Sequence, residues 1–119
     1  MEWIVNTHID FDEQFRSFPE EVQNSIMAKS IFIQEIGHNL GRPHVDTLKG
    51  SKHSNMKEPR LDAIGDVWRV AFAFDPERQA ILLVAGDKTG KNQKRFYTKL
   101  IRTADMRFDE HLEYLKVKK

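Results

Sequence analysis

Asp66-Val67-Trp68-Arg69-Val70-Ala71-Phe72-Ala73-Phe74, Asp75-Pro76-Glu77-Arg78, Gln79-Ala80-Ile81-Leu82-Leu83-Val84-Ala85: these three consecutive runs decide the fold. In the first, Trp68, Val70, Phe72 and Phe74 share one face and Arg69, Ala71 and Ala73 the other, the period of a β-strand. The second is a turn. The third is apolar on both faces, as expected of a central strand covered on both sides. Together they predict an antiparallel hairpin at the heart of a sheet.

Working outward toward the N-terminus, Pro59 confines Met56–Leu61 to an edge or irregular strand, because proline cannot donate to a ladder. Gly41–Asn55 reads as a long surface segment. Before it, Val22, Ile26, Ser30, Ile33, Ile36/Gly37 and Leu40 recur at steps of three or four, the stripe of a helix packed on a core. That helix starts at Pro19-Glu20-Glu21, where proline suits the first turn and the acids complement the positive helix end. Gly37 or Gly41 ends it. A short strand over Glu2–Asp10 and a short helix over Phe11–Ser17 precede it. Beyond the hairpin the period changes again: Phe96, Leu100, Ile101, Ala104, Phe108, Leu112 and Leu115 suit C-terminal helix. The expected architecture is α+β, one domain over residues 1–119, with an antiparallel sheet and helices packed on one side.

The chain has 119 residues, 31% charged and 39% apolar, enough for one core. Zero cysteines remove disulfides, thiolate chemistry and zinc–sulfur sites and fit a reducing compartment. No stretch approaches a membrane span and the start lacks a secretory signal, so a cytoplasmic setting is expected. The net charge of +1 hides an uneven distribution. Before Asn24, Glu2, Asp10, Asp12, Glu13, Glu20 and Glu21 face a single Arg16. Lys88–Arg102 holds Lys88, Lys91, Lys94, Arg95, Lys99 and Arg102 and no carboxylate.

Familiar catalytic motifs are missing. The histidines (His8, His38, His44, His53 and His111) form no HExxH pair, so neither a metal nor another cofactor is expected. Gly86–Lys91 lacks the spacing and hydroxyl of a phosphate loop, and no nucleophile elbow occurs. What remains is a basic constellation: Lys49, Lys52, His53, Lys57, Arg60, Arg69, Lys88, Lys91, Lys94 and Arg95, with Tyr97 as an aromatic able to stack or hydrogen-bond. Arg69 is the most informative, because a charge inside an apolar strand is costly unless it is paired or faces a cleft. Asp62, Asp66 and Asp87 are candidate partners; an open cleft is the alternative.

The segment Trp68–Pro76, followed by Gln79–Lys88 and Lys94-Arg95-Phe96-Tyr97, resembles the RelE/ParE superfamily of toxins, in its HigB-like, phage-derived branch. Leu48-Lys49-Gly50, Met56-Lys57-Glu58-x-Arg60 and Asp105-x-Arg107-Phe108-x-x-His111-Leu112 extend the resemblance to about Leu40–Leu115. The resemblance implies a RelE-like fold, two N-terminal helices packed on a small antiparallel sheet with a C-terminal helix. It also implies a metal-independent, ribosome-dependent endoribonuclease that cuts messenger RNA, restrained by a HigA-like helix-turn-helix antitoxin. A ParE-like gyrase inhibitor or a nontoxic phage-derived binding protein of the same fold are the alternatives. Carried over by position, Arg69 falls at the strand arginine that contacts the scissile phosphate, Lys57 and Arg60 in the preceding basic strand, Lys88 after the glycine turn, and Tyr97 at the aromatic near the last helix. Lys49, Lys52, His53, Lys91, Lys94 and Arg95 are expected to bind RNA. Attack by an internal 2′-hydroxyl needs charge stabilisation, assigned to Arg69 and Lys88, and a base, for which His53, Lys57 and Tyr97 all qualify.

Overall fold

The computed structural model describes residues 3–61 and 68–118. In chain order the elements are β1 (Ile4–Thr7), α1 (Ile9–Phe15), α2 (Glu20–Ile36), β2 (Val45–Thr47), β3 (Met56–Pro59), β4 (Trp68–Phe74), β5 (Gln79–Asp87) and α3 (Gln93–Val117). The five strands form one sheet in the order β1-β5-β4-β3-β2, with the predicted hairpin at its centre. β4 and β5 pair antiparallel from Trp68↔Asp87 to Phe74↔Ala80. The expected strand starts at Glu2 and Asp66 lie outside the described residues.

The sheet is mixed rather than wholly antiparallel. β2, β3, β4 and β5 step inward as antiparallel neighbours, and β5 arrives beside β1 running in the same direction, Ile4↔Gln79 to Thr7↔Leu82. Helices also cover both faces, not one. α1 and α2 bury Phe11, Val22, Ile26 and Ile33 against Val70, Phe72, Phe74, Ala80 and Leu82. α3 lays Leu100, Ala104 and Phe108 on Ala71, Ala73, Ile81, Leu83 and Val84. The alanines of β4 leave room for that helix. A bulge between Ala71 and Phe72 moves the pairing from Val84 to Leu82. Leu83 and Val84 therefore both face α3, so β5 is apolar without strict alternation.

α2 ends at Gly37, whose φ of 70° is the left-handed conformation that glycine adopts without strain. The Trp3 ring lies against it; a Cβ at this position would stand 2.0 Å from Trp3 Cδ1. The expected stripe is buried at Val22, Ile26, Ile33, Gly37 and Leu40, and Lys29 is buried beside it with its Nζ 3.3 Å from His44 Nδ1. The segment expected to be surface loop contains β2, whose Val45 is buried. β3 is internal, paired with β2 on one side and β4 on the other. Pro59 is tolerated because it stands beyond the last β3–β4 pair, Lys57↔Phe72.

The hairpin tip is tied to α3 by Asp75, whose carboxylate is fully buried. It accepts hydrogen bonds from the backbone N–H groups of Glu77 and Gln79, both 2.9 Å, and from Gln79 Nε2 at 3.0 Å. His111 Nε2 lies 2.7 Å from its other side. At the opposite end of the hairpin, Asn92 caps α3 by accepting from Arg95 N at 3.0 Å. This fixes the first turn of α3 above the open end of β4.

Candidate functional site

Alternation along β4 turns Arg69 toward α3, where it meets Tyr97 and, from β3, Glu58. Arg69 Nε donates to Tyr97 Oη at 2.8 Å, and the Tyr97 hydroxyl donates to Glu58 Oε2 at 2.7 Å. Glu58 Oε2 is 3.5 Å from Arg69 Nε, and Arg69 Nη1 donates to Trp68 O at 3.0 Å. The Arg69 and Glu58 side chains are each 19% exposed, so solvent and a ligand can reach both. Opposite Arg69 stands Gly86, where a Cβ would come within 3.1 Å of the Phe96 ring. The small residue lets the first turn of α3 settle onto β5, and Tyr97 follows. A cavity of about 140 Å³ opens here, lined also by Asp46, Arg60 and Trp68.

Burial raises the Glu58 carboxyl above the usual carboxylate range, opposed by the Tyr97 hydrogen bond and the Arg69 charge. Lys88 is near enough for its charge to act on Glu58 in the same direction as Arg69. Tyr97 is pushed up to about 12, first by burial and then by its bond to Glu58. The phenol therefore holds its proton at neutral pH and serves as a donor.

Arg69, Tyr97 and Arg60 thus gather around one cavity, with the Lys88 charge felt at Glu58. Of the expected partners of Arg69, Asp62 and Asp66 lie outside the described residues, and Asp87 accepts from Thr89 N at 2.9 Å within its own turn. Among the described residues Glu58 is an acidic partner, one that the sequence candidates do not include. Lys57 stands on the other sheet face, opposite Phe72, with its Nζ donating to Thr47 Oγ1 at 3.0 Å. Lys49, Lys52 and Lys94 border a broad concavity of about 1340 Å³ along α3. There Lys52 is paired with Asp109, which raises the lysine and lowers the aspartate. His53 Nε2 lies 2.8 Å from the same carboxylate, its ring edge-on to Phe108. Both are engaged within the protein. Lys91 and Arg95 lie on the other flank of α3, in a groove they share with Lys99.

His8, Asp10 and Glu110 bring ligand-type atoms within 4.8 Å of one another. The His8 ring is already used there, Nδ1 accepting from Asp10 N at 3.1 Å to cap α1 and Nε2 lying 2.9 Å from Glu110. Among the described residues no helix is long and apolar enough to cross a membrane.

The phage-derived Gp49-like protein family matches residues 13–109. The chain is 45% identical over 93 residues to the putative toxin HigB2 of Mycobacterium tuberculosis, a match covering 77% of this chain and 46% of that protein, so it spans about half of that relative's length. It is 42% identical over 98 residues to the putative toxin HigB3 of the same organism, covering 82% of this chain and 83% of that one. Two solved structures share the fold. An E. coli RelE toxin double mutant in the free state superposes with a TM-score of 0.62 at 13% identity, over 86% of this chain and 97% of that chain. The isolated E. coli RelE toxin superposes with a TM-score of 0.57 at 10% identity, over 82% and 96%. With its sheet, its two helical layers and its sequence relatives in agreement, the chain belongs to the Gp49-like, HigB-related family and has the RelE fold.

Proposed function

We propose that this chain is the toxin of a type II toxin–antitoxin pair and that it cuts messenger RNA on the ribosome. The observation that carries the reading is the Arg69–Tyr97–Glu58 network at the mouth of a small cavity lined also by Arg60, with Lys88 near enough for its charge to act on Glu58. The scissile phosphate enters this cavity and takes Arg69 from Glu58. Glu58, its basicity increased by burial, accepts the proton of the attacking 2′-hydroxyl. As the 2′-oxygen bonds to phosphorus, Arg69 and Lys88 stabilise the charge on the phosphorane oxygens. The bond to the 5′-oxygen breaks and that oxygen takes the hydroxyl proton of Tyr97. Protonated Glu58 then returns a proton to the Tyr97 phenolate. The proton lost by the 2′-hydroxyl is thereby delivered to the 5′-oxygen, both side chains are restored, and the ends formed are a 2′,3′-cyclic phosphate and a 5′-hydroxyl. This chemistry calls on no metal or cofactor. Positioning by the ribosome supplies the alignment that so small a site does not provide alone. A HigA-like helix-turn-helix antitoxin is the proposed restraining partner, in the cytoplasm.

Induced expression beside translated and untranslated copies of one transcript, with mapping of RNA ends, tests the reading. New 5′-hydroxyl ends are expected only in the translated copy, and Arg69→Ala is expected to abolish them while the protein still folds and binds antitoxin. Growth arrest with intact messages overturns it.

A further inference from the structure

Asp46 lines the cavity beside Arg69 and has no part in the reaction described above. It is the middle residue of β2, and its two neighbours explain the strand without it. Val45 is buried in the core, and Thr47 stands opposite Lys57 and accepts from its Nζ at 3.0 Å, a favourable pair on the far sheet face. Asp46 instead stands opposite Glu58. Residues directly opposite each other have Cβ atoms about 5 Å apart, and two carboxylates so placed repel. The fold gains nothing from this pair, and both of its members line the cavity with Arg60, Arg69 and Tyr97.

The repulsion is only partly relieved. Asp46 Oδ1 lies 2.5 Å from Nε of Arg42, four residues earlier in the chain. That guanidinium is 83% exposed and the Asp46 side chain 34%, so solvent weakens the ion pair and leaves part of the Asp46 charge directed at Glu58. The groups that face Glu58 are Asp46 from β2, Arg60 from the cavity wall, Arg69 from β4, Tyr97 from α3 and Lys88 beyond the end of β5. Asp46 alone in that set is an anion. Its charge raises the Glu58 carboxyl, where Arg69 and Lys88 lower it.

We infer that Asp46 is a positioning residue of the cleavage reaction: its carboxylate, opposite Glu58, turns that side chain toward Tyr97 and the attacking 2′-hydroxyl and strengthens it as a proton acceptor, while Arg42 sets how much of that push is delivered. The inference rests on the reading of Glu58 as the general base. A carboxylate beside two cations is a poor base, because they favour its ionised form. The phosphorane needs those cations, and proton acceptance needs an opposing charge. Asp46 meets both demands, since it acts on Glu58 from β2 while Arg69 and Tyr97 approach from β4 and α3.

The test follows single-turnover cleavage by the full-length protein from pH 5 to 8 at saturating programmed ribosomes, so that binding does not set the rate. Wild type, Asp46→Asn, Asp46→Glu, Arg42→Ala and Glu58→Gln are compared after melting curves establish that they are folded. Loss of a like charge lowers the affinity of Glu58 for a proton, so the acidic limb of the Asp46→Asn profile is expected about half a pH unit below that of wild type, with a plateau rate about twofold lower. Asp46→Glu keeps the charge and is expected to return the limb to its wild-type place. Arg42→Ala removes the counter-ion and is expected to move the limb the other way, to higher pH, by a smaller amount. An Asp46→Asn limb that coincides with that of wild type, or one that Asp46→Glu shifts equally, overturns the inference even where the rate falls, since loosened packing lowers a rate without moving its limb. Should Asp46→Asn not fold, Arg42→Ala decides, and a limb at or below the wild-type position is then the contrary result. The general-base reading fails separately: Glu58→Gln that cuts like wild type removes the base and this role of Asp46 with it, whereas lost cleavage in Glu58→Gln beside an unmoved limb in Asp46→Asn removes Asp46 alone.

Discussion

Glu58→Gln separates the roles of the Arg69–Tyr97–Glu58 network, because it removes a charge and a base while keeping the shape. The amide oxygen still accepts the Tyr97 hydroxyl, now at 2.7 Å, so Tyr97 stays above Arg69. What is lost is proton acceptance, and general base removal costs about 10²–10⁴ in rate, or roughly 3–5 kcal/mol of barrier. Stability should move the other way. Burial raises the folded-state pKa of Glu58 above its unfolded value, so its contribution to stability is fully present below the unfolded pKa and is lost as pH rises through the folded one. Glutamine has no such loss. The melting temperature of the variant relative to wild type should therefore rise as pH increases through that window, and at neutral pH the two should agree within about 3 °C. Ribosome-dependent cleavage followed from pH 5 to 8 supplies the other half of the assay: the acidic limb of the wild-type rate profile should be absent from the residual activity of the variant. Undiminished cleavage would remove Glu58 from the reaction. Lost cleavage with a melting temperature lower by 10 °C would make its role structural.

Gly37→Ala should destabilise by about 2–5 kcal/mol, combining the left-handed backbone with displacement of the Trp3 ring, and lower the melting temperature by roughly 10 °C; a shift under 3 °C would contradict the Trp3 packing. Asp75→Ala should cost about 3–5 kcal/mol in denaturant unfolding, since it strands the donors of Glu77, Gln79 and His111 at a buried position; a loss below 1 kcal/mol would show that the turn holds without it. Lys57→Ala should leave cleavage within about twofold of wild type, because the lysine is on the sheet face away from Arg69; abolished cleavage would require that face to contact RNA.

The hairpin was readable because its information is local. Trp68 to Phe74 alternates, Gln79 to Ala85 is apolar, and Asp75-Pro76 turns between them. α2 was readable because Val22, Ile26 and Ile33 repeat with the helix and Gly37 stops it. β2 escaped because three residues with one buried side chain carry no measurable period. The parallel β1–β5 pair escaped because direction of pairing is set by the path of the intervening chain, not by either strand's composition. The second helical layer was implied by β5 being apolar on both faces, an implication inconsistent with a sheet covered on one side. The placement of α3 over Ala71 and Ala73 resolves it.

The site follows the same division. Arg69 was conspicuous because a charge in an apolar strand must have a reason, and Tyr97 because it interrupts a run of cations. Their link to Glu58 depends on register, which no single window contains: Met56 pairs with Ala73, so Glu58, two residues on, shares the face of Met56 and Arg69 while Lys57 does not. One residue of slip in β3 would exchange Lys57 for Glu58 and place a cation beside Tyr97, turning an acid–base network into a cluster of like charges. Pairing with acids far along the chain likewise removed Lys52 and His53 from the free cations, since Asp109 lies more than fifty residues beyond them. Counting basic residues therefore overstates the positive surface on the Asp109 flank of α3. Arg95 and Lys99, which among the described residues are held in no ion pair, lie on the flank whose groove is lined by no described carboxylate, whereas on the other flank Asp109 holds Lys52 and His53, so pairing as well as composition distinguishes the two sides of the helix.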